Sequence, residues 1–142
     1  MLFRNYDPGR VAVSWKGIQL VGYMDGTFVS GERSEDAFEL AVGAGGDVTR
    51  TRKRNRTGTV TVTLQAASPS NDLLSAQALI DEKFGTAYGP LIVEDLNGAT
   101  VMIASVAWIQ KMPTVEFADQ ASGREWVFAC ADLDITAGGA IV

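Results

Sequence analysis

Every second position from 57 to 63 is a threonine, with Val60, Val62 and Leu64 set between or just after them. An apolar row alternating with a hydroxyl row predicts a strand with one dry face and one wet face. The run Ser68-Pro69-Ser70-Asn71-Asp72 then has the form of a helix start. Ser68 is placed as N-cap, Pro69 at the first helical position and Asp72 near the positive end of the helix dipole. Leu73, Ala76, Ile80 and Phe84 recur at helical spacing, and Gly85 follows where a left-handed cap is wanted. The pattern predicts one helix that lays this stripe on a sheet.

The rest of the chain reads as strands. Val11, Val13 and Trp15 alternate with Ala12 and Ser14, and Lys16-Gly17 predicts a tight hairpin into a strand through Ile18, Leu20 and Tyr23. Asp25-Gly26 is a second turn signal ahead of a strand over 27–33. Phe38, Leu40 and Val42 alternate with Ala37, Glu39 and Ala41, and the glycine-rich loop 43–47 permits a bend. A basic strand follows, with Thr49, Thr51 and Lys53 on one face and Val48, Arg50, Arg52 and Arg54 on the other. Neither face is apolar enough to be core, so residues 43–58 are expected to form a projecting hairpin that gains order by touching another chain.

Beyond the helix, residues 91–96 predict a strand, and Asn97-Gly98 signals a type I′ hairpin turn, which needs two residues at positive φ. Residues 100–110 are apolar on both faces, which predicts a central strand covered on both sides. Met112-Pro113 ends it. Val115 and Phe117 alternate with Glu116 in a short strand, residues 119–123 form a polar loop, and a last strand runs over 125–135. Gly138-Gly139 opens a flexible end over 137–142. About nine strands and one helix, without internal repeats, predict a single mainly β domain over residues 1–142. Its expected form is an antiparallel β-sandwich or partly open barrel with one flanking helix.

The 142 residues carry a formal net charge of −5, but the distribution matters more than the total. Five of the 12 bases, Arg50, Arg52, Lys53, Arg54 and Arg56, fall within seven positions, leaving seven against 17 acids elsewhere, a balance of −10. An acidic body with one basic edge suits docking on copies of itself or on an acidic partner. No apolar run approaches the roughly 20 residues that span a bilayer, and the first residues lack a signal-peptide h-region, so a soluble cytoplasmic product without a membrane anchor is expected. The lone Cys130, in an apolar run, reads as a buried inert thiol.

Catalytic chemistry finds few parts here. Histidine is absent, which removes the commonest general base and zinc ligand. Glu94 and Asp95 point to opposite faces of a strand, and Asp132 with Asp134 lacks the further oxygen ligands of a Ca²⁺ loop. Loop 43–47 lacks the Lys-Ser/Thr ending of a phosphate loop. The Arg50 to Arg56 cluster has no interleaved aromatic on which bases could stack. Trp15, Trp108 and Trp126 read as core. No catalytic, cofactor or metal residue is expected.

The segments Arg56-Thr-Gly-Thr-Val-Thr-Val-Thr-Leu64 and Ser68-Pro-Ser-Asn-Asp-Leu-Leu-Ser75 resemble the tail tube proteins of contractile-tailed bacteriophages. So do Pro90-Leu-Ile-Val-Glu-Asp-Leu-Asn-Gly98, Ala107-Trp-Ile-Gln-Lys-Met-Pro113 and Arg124-Glu-Trp-Val-Phe-Ala-Cys-Ala-Asp-Leu-Asp134. The resemblance implies a β-sandwich with one flanking helix whose hexameric rings stack into the inner tube of a virion tail, made in the host cytoplasm. A contractile sheath would surround the tube, and DNA and the tape measure protein would occupy its lumen. Each subunit would lend strands to a barrel shared around the ring. In that frame Arg50, Arg52, Lys53, Arg54 and Arg56 are expected inter-ring or subunit contacts, and Thr59, Thr61, Thr63 or Glu39 expected lumen-lining residues. A tube subunit of a DNA-free bacteriocin-like or type VI particle, and a monomeric β-barrel binding module, remain open at this point.

Overall fold

Residues 58–65 form the strand that their alternation predicts, with Val60, Val62 and Leu64 fully buried and the threonines half-buried on the other face. A computed structural model describes residues 1 and 3–139 of the chain. Ten strands and one helix follow in order: β1 (Val11–Trp15), β2 (Ile18–Gln19), β3 (Val29–Arg33), β4 (Phe38–Val42), β5 (Val48–Arg52), β6 (Gly58–Gln65), α1 (Ser70–Phe84), β7 (Gly89–Asp95), β8 (Val101–Lys111), β9 (Gly123–Cys130) and β10 (Leu133–Thr136). Eight strands make one antiparallel sheet, ordered β2-β1-β7-β8-β9-β6-β3, with β10 also on β8. The expected fold class holds: mainly β, antiparallel, open rather than closed into a barrel, with a single helix. β4 and β5 pair only with each other, as a separate two-stranded sheet.

The core lies on one side of the large sheet, where Val13, Trp15, Val60, Val62, Leu64, Leu91, Trp126 and Phe128 converge. The Trp15 and Phe128 rings meet tilted at 59° with centroids 5.3 Å apart. Trp15 Nε1 donates to the Ala107 carbonyl at 3.0 Å, so the indole brings no unpaired donor into the core. Trp15 and Trp126 are core residues as expected. Trp108 is only partly covered.

The Lys16-Gly17 turn has the expected form, with φ of 53° and 79° and Ser14 opposite Gln19. The Asn97-Gly98 turn does not. Neither residue has positive φ, and the loop is instead held by the Asp95 N–H donating to the Thr100 carbonyl at 3.0 Å and the Gly98 N–H donating to the Asp95 carbonyl at 3.1 Å. The buried Asn97 amide accepts from the Asp7 N–H at 3.2 Å and donates to the Asp7 carbonyl at 2.8 Å and Asp95 Oδ1 at 2.9 Å. Its side chain pins the N-terminal segment to the hairpin, and those tertiary bonds displace the local turn preference.

The expectation that β8 is covered on both faces is also corrected. Gly89 pairs with Ala107 and Leu91 with Ala104, so β8 carries one extra residue between them. This bulge switches the buried row from Met102 and Ala104 to Ala107 and Ile109. A strand whose two halves bury opposite rows reads in sequence as apolar on both faces. Ile103 and Ser105 are exposed.

In α1 the predicted cap chemistry is present one residue off the assigned boundary. Pro69 already has helical dihedrals, the Ser68 hydroxyl accepts from the Ser70 N–H at 3.2 Å, and Gly85 closes the helix at φ 65°. The buried face differs from the predicted one. Ser70, Leu74 and Ala78 point inward, while Leu73, Ala76, Ile80 and Phe84 face solvent. Polar anchors set this rotation. Ser68 Oγ donates to the Val21 carbonyl at 2.6 Å, Ser70 Oγ accepts from the Val21 N–H at 3.0 Å, and Trp126 Nε1 donates to Asn71 Oδ1 at 2.9 Å. Small residues at 70 and 78 also let the helix sit close on the sheet.

Of the end expected to be flexible, residues 140–142 lie outside the described residues. The Gly138 carbonyl accepts from Thr100 Oγ1, and the Gly139 carbonyl from the Ala99 N–H.

Candidate assembly surface

The register of β4 against β5 sorts the hairpin into two unlike faces. Phe38 lies opposite Arg52, Leu40 opposite Arg50 and Val42 opposite Val48, while Glu39 and Ala41 face Thr51 and Thr49. One face therefore carries four apolar side chains with Arg50 and Arg52. All are exposed, Leu40 at 66% and Val42 at 64%. Taken alone, the basic strand shows only its cationic half. The apolar row comes from the strand across the turn, and adding the sequence pattern of 38–42 to that of 48–52 in hairpin register would have revealed it. The Arg50 guanidinium rests 3.9 Å from the Phe38 ring centroid, a cation–π contact that holds its charge over the apolar row. At the tip Gly46 takes φ 89°, and the Gly43 N–H donates to the Asp47 carbonyl at 2.7 Å.

The hairpin is anchored firmly at its root. Arg56 Nε donates to Asp132 Oδ1 at 2.8 Å, its Nη2 pairs with Asp134, and Arg33 Nη2 reaches Asp134 at 3.5 Å. The Leu133 N–H also donates to the Arg56 carbonyl at 2.9 Å. Asp132 raises the Arg56 pKa first through its hydrogen bond and then through its charge, with Asp134 adding to it. The two aspartates are thus occupied by arginines, and no cluster fit for a metal ion occurs among the described residues. These pairs are exposed, so their role is to orient the root rather than to stabilise the fold.

Of the five basic residues expected to touch a neighbour, the structure separates two from three. Arg56 is held by Asp132 and Asp134, and Lys53 pairs with Glu39 at 2.9 Å, the hydrogen bond to Glu39 raising the lysine pKa. Arg50, Arg52 and Arg54 make no ion pair among the described residues. Arg33, Arg52, Lys53, Arg54 and Arg56 line a cleft of about 380 Å³ at the hairpin root.

Thr59, Thr61 and Thr63 stand together on the outer face of the large sheet. Cross-strand pairing sets Thr59 beside Glu32 and Ala129, Thr61 beside Ser30 and Val127, and Thr63 beside Glu125. This part of the wall is hydroxylated and acidic. Glu39 is not brought to it; it lies on the separate hairpin, opposite Thr51. Among the described residues β3 pairs only with β6, so its outer edge is an open row of backbone donors and acceptors.

Cys130 is buried, and desolvation pushes its thiol up from 9.0 to about 11. No helix among the described residues is long and apolar enough to cross a membrane.

The mainly β fold of an open antiparallel sheet with one helix is shared with structures of contractile injection systems. In a sheath/tube terminator structure of the PVC extracellular contractile injection system, one chain matches with a TM-score of 0.67 at 12% identity, covering 96% of this chain and all of that one. The PVC sheath–tube complex in its extended state gives 0.64 at 11% identity over 94% and 92% of the two chains. The anti-feeding prophage cap gives 0.64 at 9% over 96% and 93%. Likeness at such identities is one of fold. The sequence is more specific: residues 15–138 match the bacteriophage PhiTE tail tube protein family, and the chain belongs to it. "Structural protein ORF10" of Pseudomonas phage KPP10 is similar too, at 30% identity over 94% of this chain and 82% of that protein. The chain is a structural protein of a virion tail tube.

Proposed function

We propose that this subunit closes into hexameric rings that stack into the inner tube of a contractile tail, a conduit for DNA during ejection. The observation that carries the reading is the detached hairpin. It exposes an apolar and cationic face that nothing among the described residues covers, on a member of a tail tube family. A two-stranded sheet with such a face is marginal in water alone and gains order against a neighbour. The unpaired edge of β3 supports a barrel completed by adjacent copies. These features argue against a self-contained binding module, and the phage relative favours a virion over a DNA-free particle.

In this arrangement Arg50, Arg52 and Arg54 meet the acidic body of the next ring, while Lys53 and Arg56 shape the hairpin from within the chain. The Thr59, Thr61 and Thr63 face with Glu32 and Glu125 lines the lumen, where like charge keeps phosphates from lodging. A sheath encloses the tube and a tape measure protein shares the lumen with DNA. Size exclusion followed by negative-stain microscopy tests the core of the proposal. Rings or tubes are expected, and a monomer at every concentration would overturn it. Reversing charge with Arg52→Glu and Arg54→Glu is expected to stop stacking while leaving the fold intact.

A further inference from the structure

Two apolar, exposed faces stand out among the described residues. One is the hairpin face of Phe38, Leu40, Val42 and Val48. The other is the outward stripe of α1, where Leu73, Leu79, Ile80 and Phe84 lie exposed, Phe84 at 72%. Their dimensions match: α1, with 15 residues, is about 22 Å long at the usual helical rise, and each hairpin strand, with five residues, spans about 17 Å. Their charges are opposite in sign at the first turn of α1, while Glu82 and Lys83 offset each other at its last. Arg50 and Arg52 share the hairpin face, whereas Asp72 begins the helical stripe and Glu82 flanks it, with Lys83 the one base beside it.

Resting on the stacked-ring reading above, we infer that the hairpin face of one copy seats on the outward stripe of α1 in a copy of the adjacent ring. The occupant of each face is thus the other face of a second, identical chain. Hairpin against hairpin would set Arg50 and Arg52 against their own equivalents, which disfavours a symmetric pair. A hairpin-to-helix contact uses two different patches, so it repeats from ring to ring without closing on itself. The burial that the helix lacks in the isolated chain is supplied by assembly.

Because the two patches differ, each can be broken separately and the products mixed. Leu40→Asp removes the hairpin face and keeps the helix stripe; Ile80→Asp does the reverse. Both sites are exposed, and circular dichroism with a thermal scan checks that each variant folds, with Phe84→Ser as a second change in the stripe. By negative stain, wild-type protein should form tubes, and each variant alone should stop at single rings or free subunits. A mixture of the two should give two-layer species, since one intact hairpin face and one intact stripe remain between them. Two outcomes would overturn the inference while leaving the tube reading in place: wild-type tubes beside Ile80→Asp tubes of the same length, or a mixture with no species larger than those of the separate variants. Wild-type protein that never assembles would overturn both.

Discussion

β6 and β4 carry the same alternation and meet opposite fates. In β6, Val60, Val62 and Leu64 are fully buried beneath a sheet that continues on both sides, into β3 and β9. In β4, Phe38, Leu40 and Val42 line up just as regularly, yet among the described residues β5 is their one partner strand and no other strand or helix covers them. Period-two patterning establishes that a strand has two unlike faces. It does not say whether the covering layer comes from the same chain. In a protein made to assemble, the second kind of strand is as regular as the first.

Matched substitutions break the comparison most sharply. Leu64→Ala, in the sealed strand, should lower unfolding stability by about 2–5 kcal/mol, read from denaturant midpoints on the unassembled chain. Next in size is Asn97→Ala, which leaves the Asp7 backbone groups and Asp95 without the amide that bridges them. It should cost about 1–3 kcal/mol, and faster amide exchange at residues 7–10 would locate the damage. A third test separates the sealed side by pH. The Cys130 pKa is raised on folding, so its contribution is complete below 9.0 and lost as pH rises through about 11. Stability should decline over that window in the wild type and less so in Cys130→Ala. The smallest effect belongs to the open strand: Leu40→Ala should change subunit stability by no more than about 0.5 kcal/mol. A loss as large as that of Leu64→Ala would show that the hairpin face is covered within the chain.

What was legible in the sequence follows the same division. Strands whose partners are local, such as β1 with β2 across Lys16-Gly17, could be read from spacing and turn chemistry, although β2 stops at Gln19 short of the expected Tyr23 and the expected strand over 125–135 is broken into β9 and β10. So could the single helix, its Ser68 cap and its Gly85 stop. The helix rotation could not, because Leu73, Ala76, Ile80 and Phe84 form a proper apolar stripe, and only the distant Val21 and Trp126 turn Ser70 and Leu74 inward. The same limit hid the root of the hairpin. Arg56 and Asp132 are 76 residues apart, and nothing in either local stretch announces the pair. At the candidate surface the basic cluster was visible. The apolar half of that face emerged only once two strands were laid side by side.

The extra residue in β8 carries a consequence for how this gene can drift. Losing one position between Ala104 and Ala107 would set Ala104, Ala107 and Ile109 on one unbroken alternating row, so the same side chains would stay buried and Trp108 would keep its outward face. A one-residue loss is therefore a change of length that this stretch can absorb, as can residues 112–122, where the expected short strand over 115–117 does not form. Descendants that lack the bulge should be one residue shorter here and bury the same row.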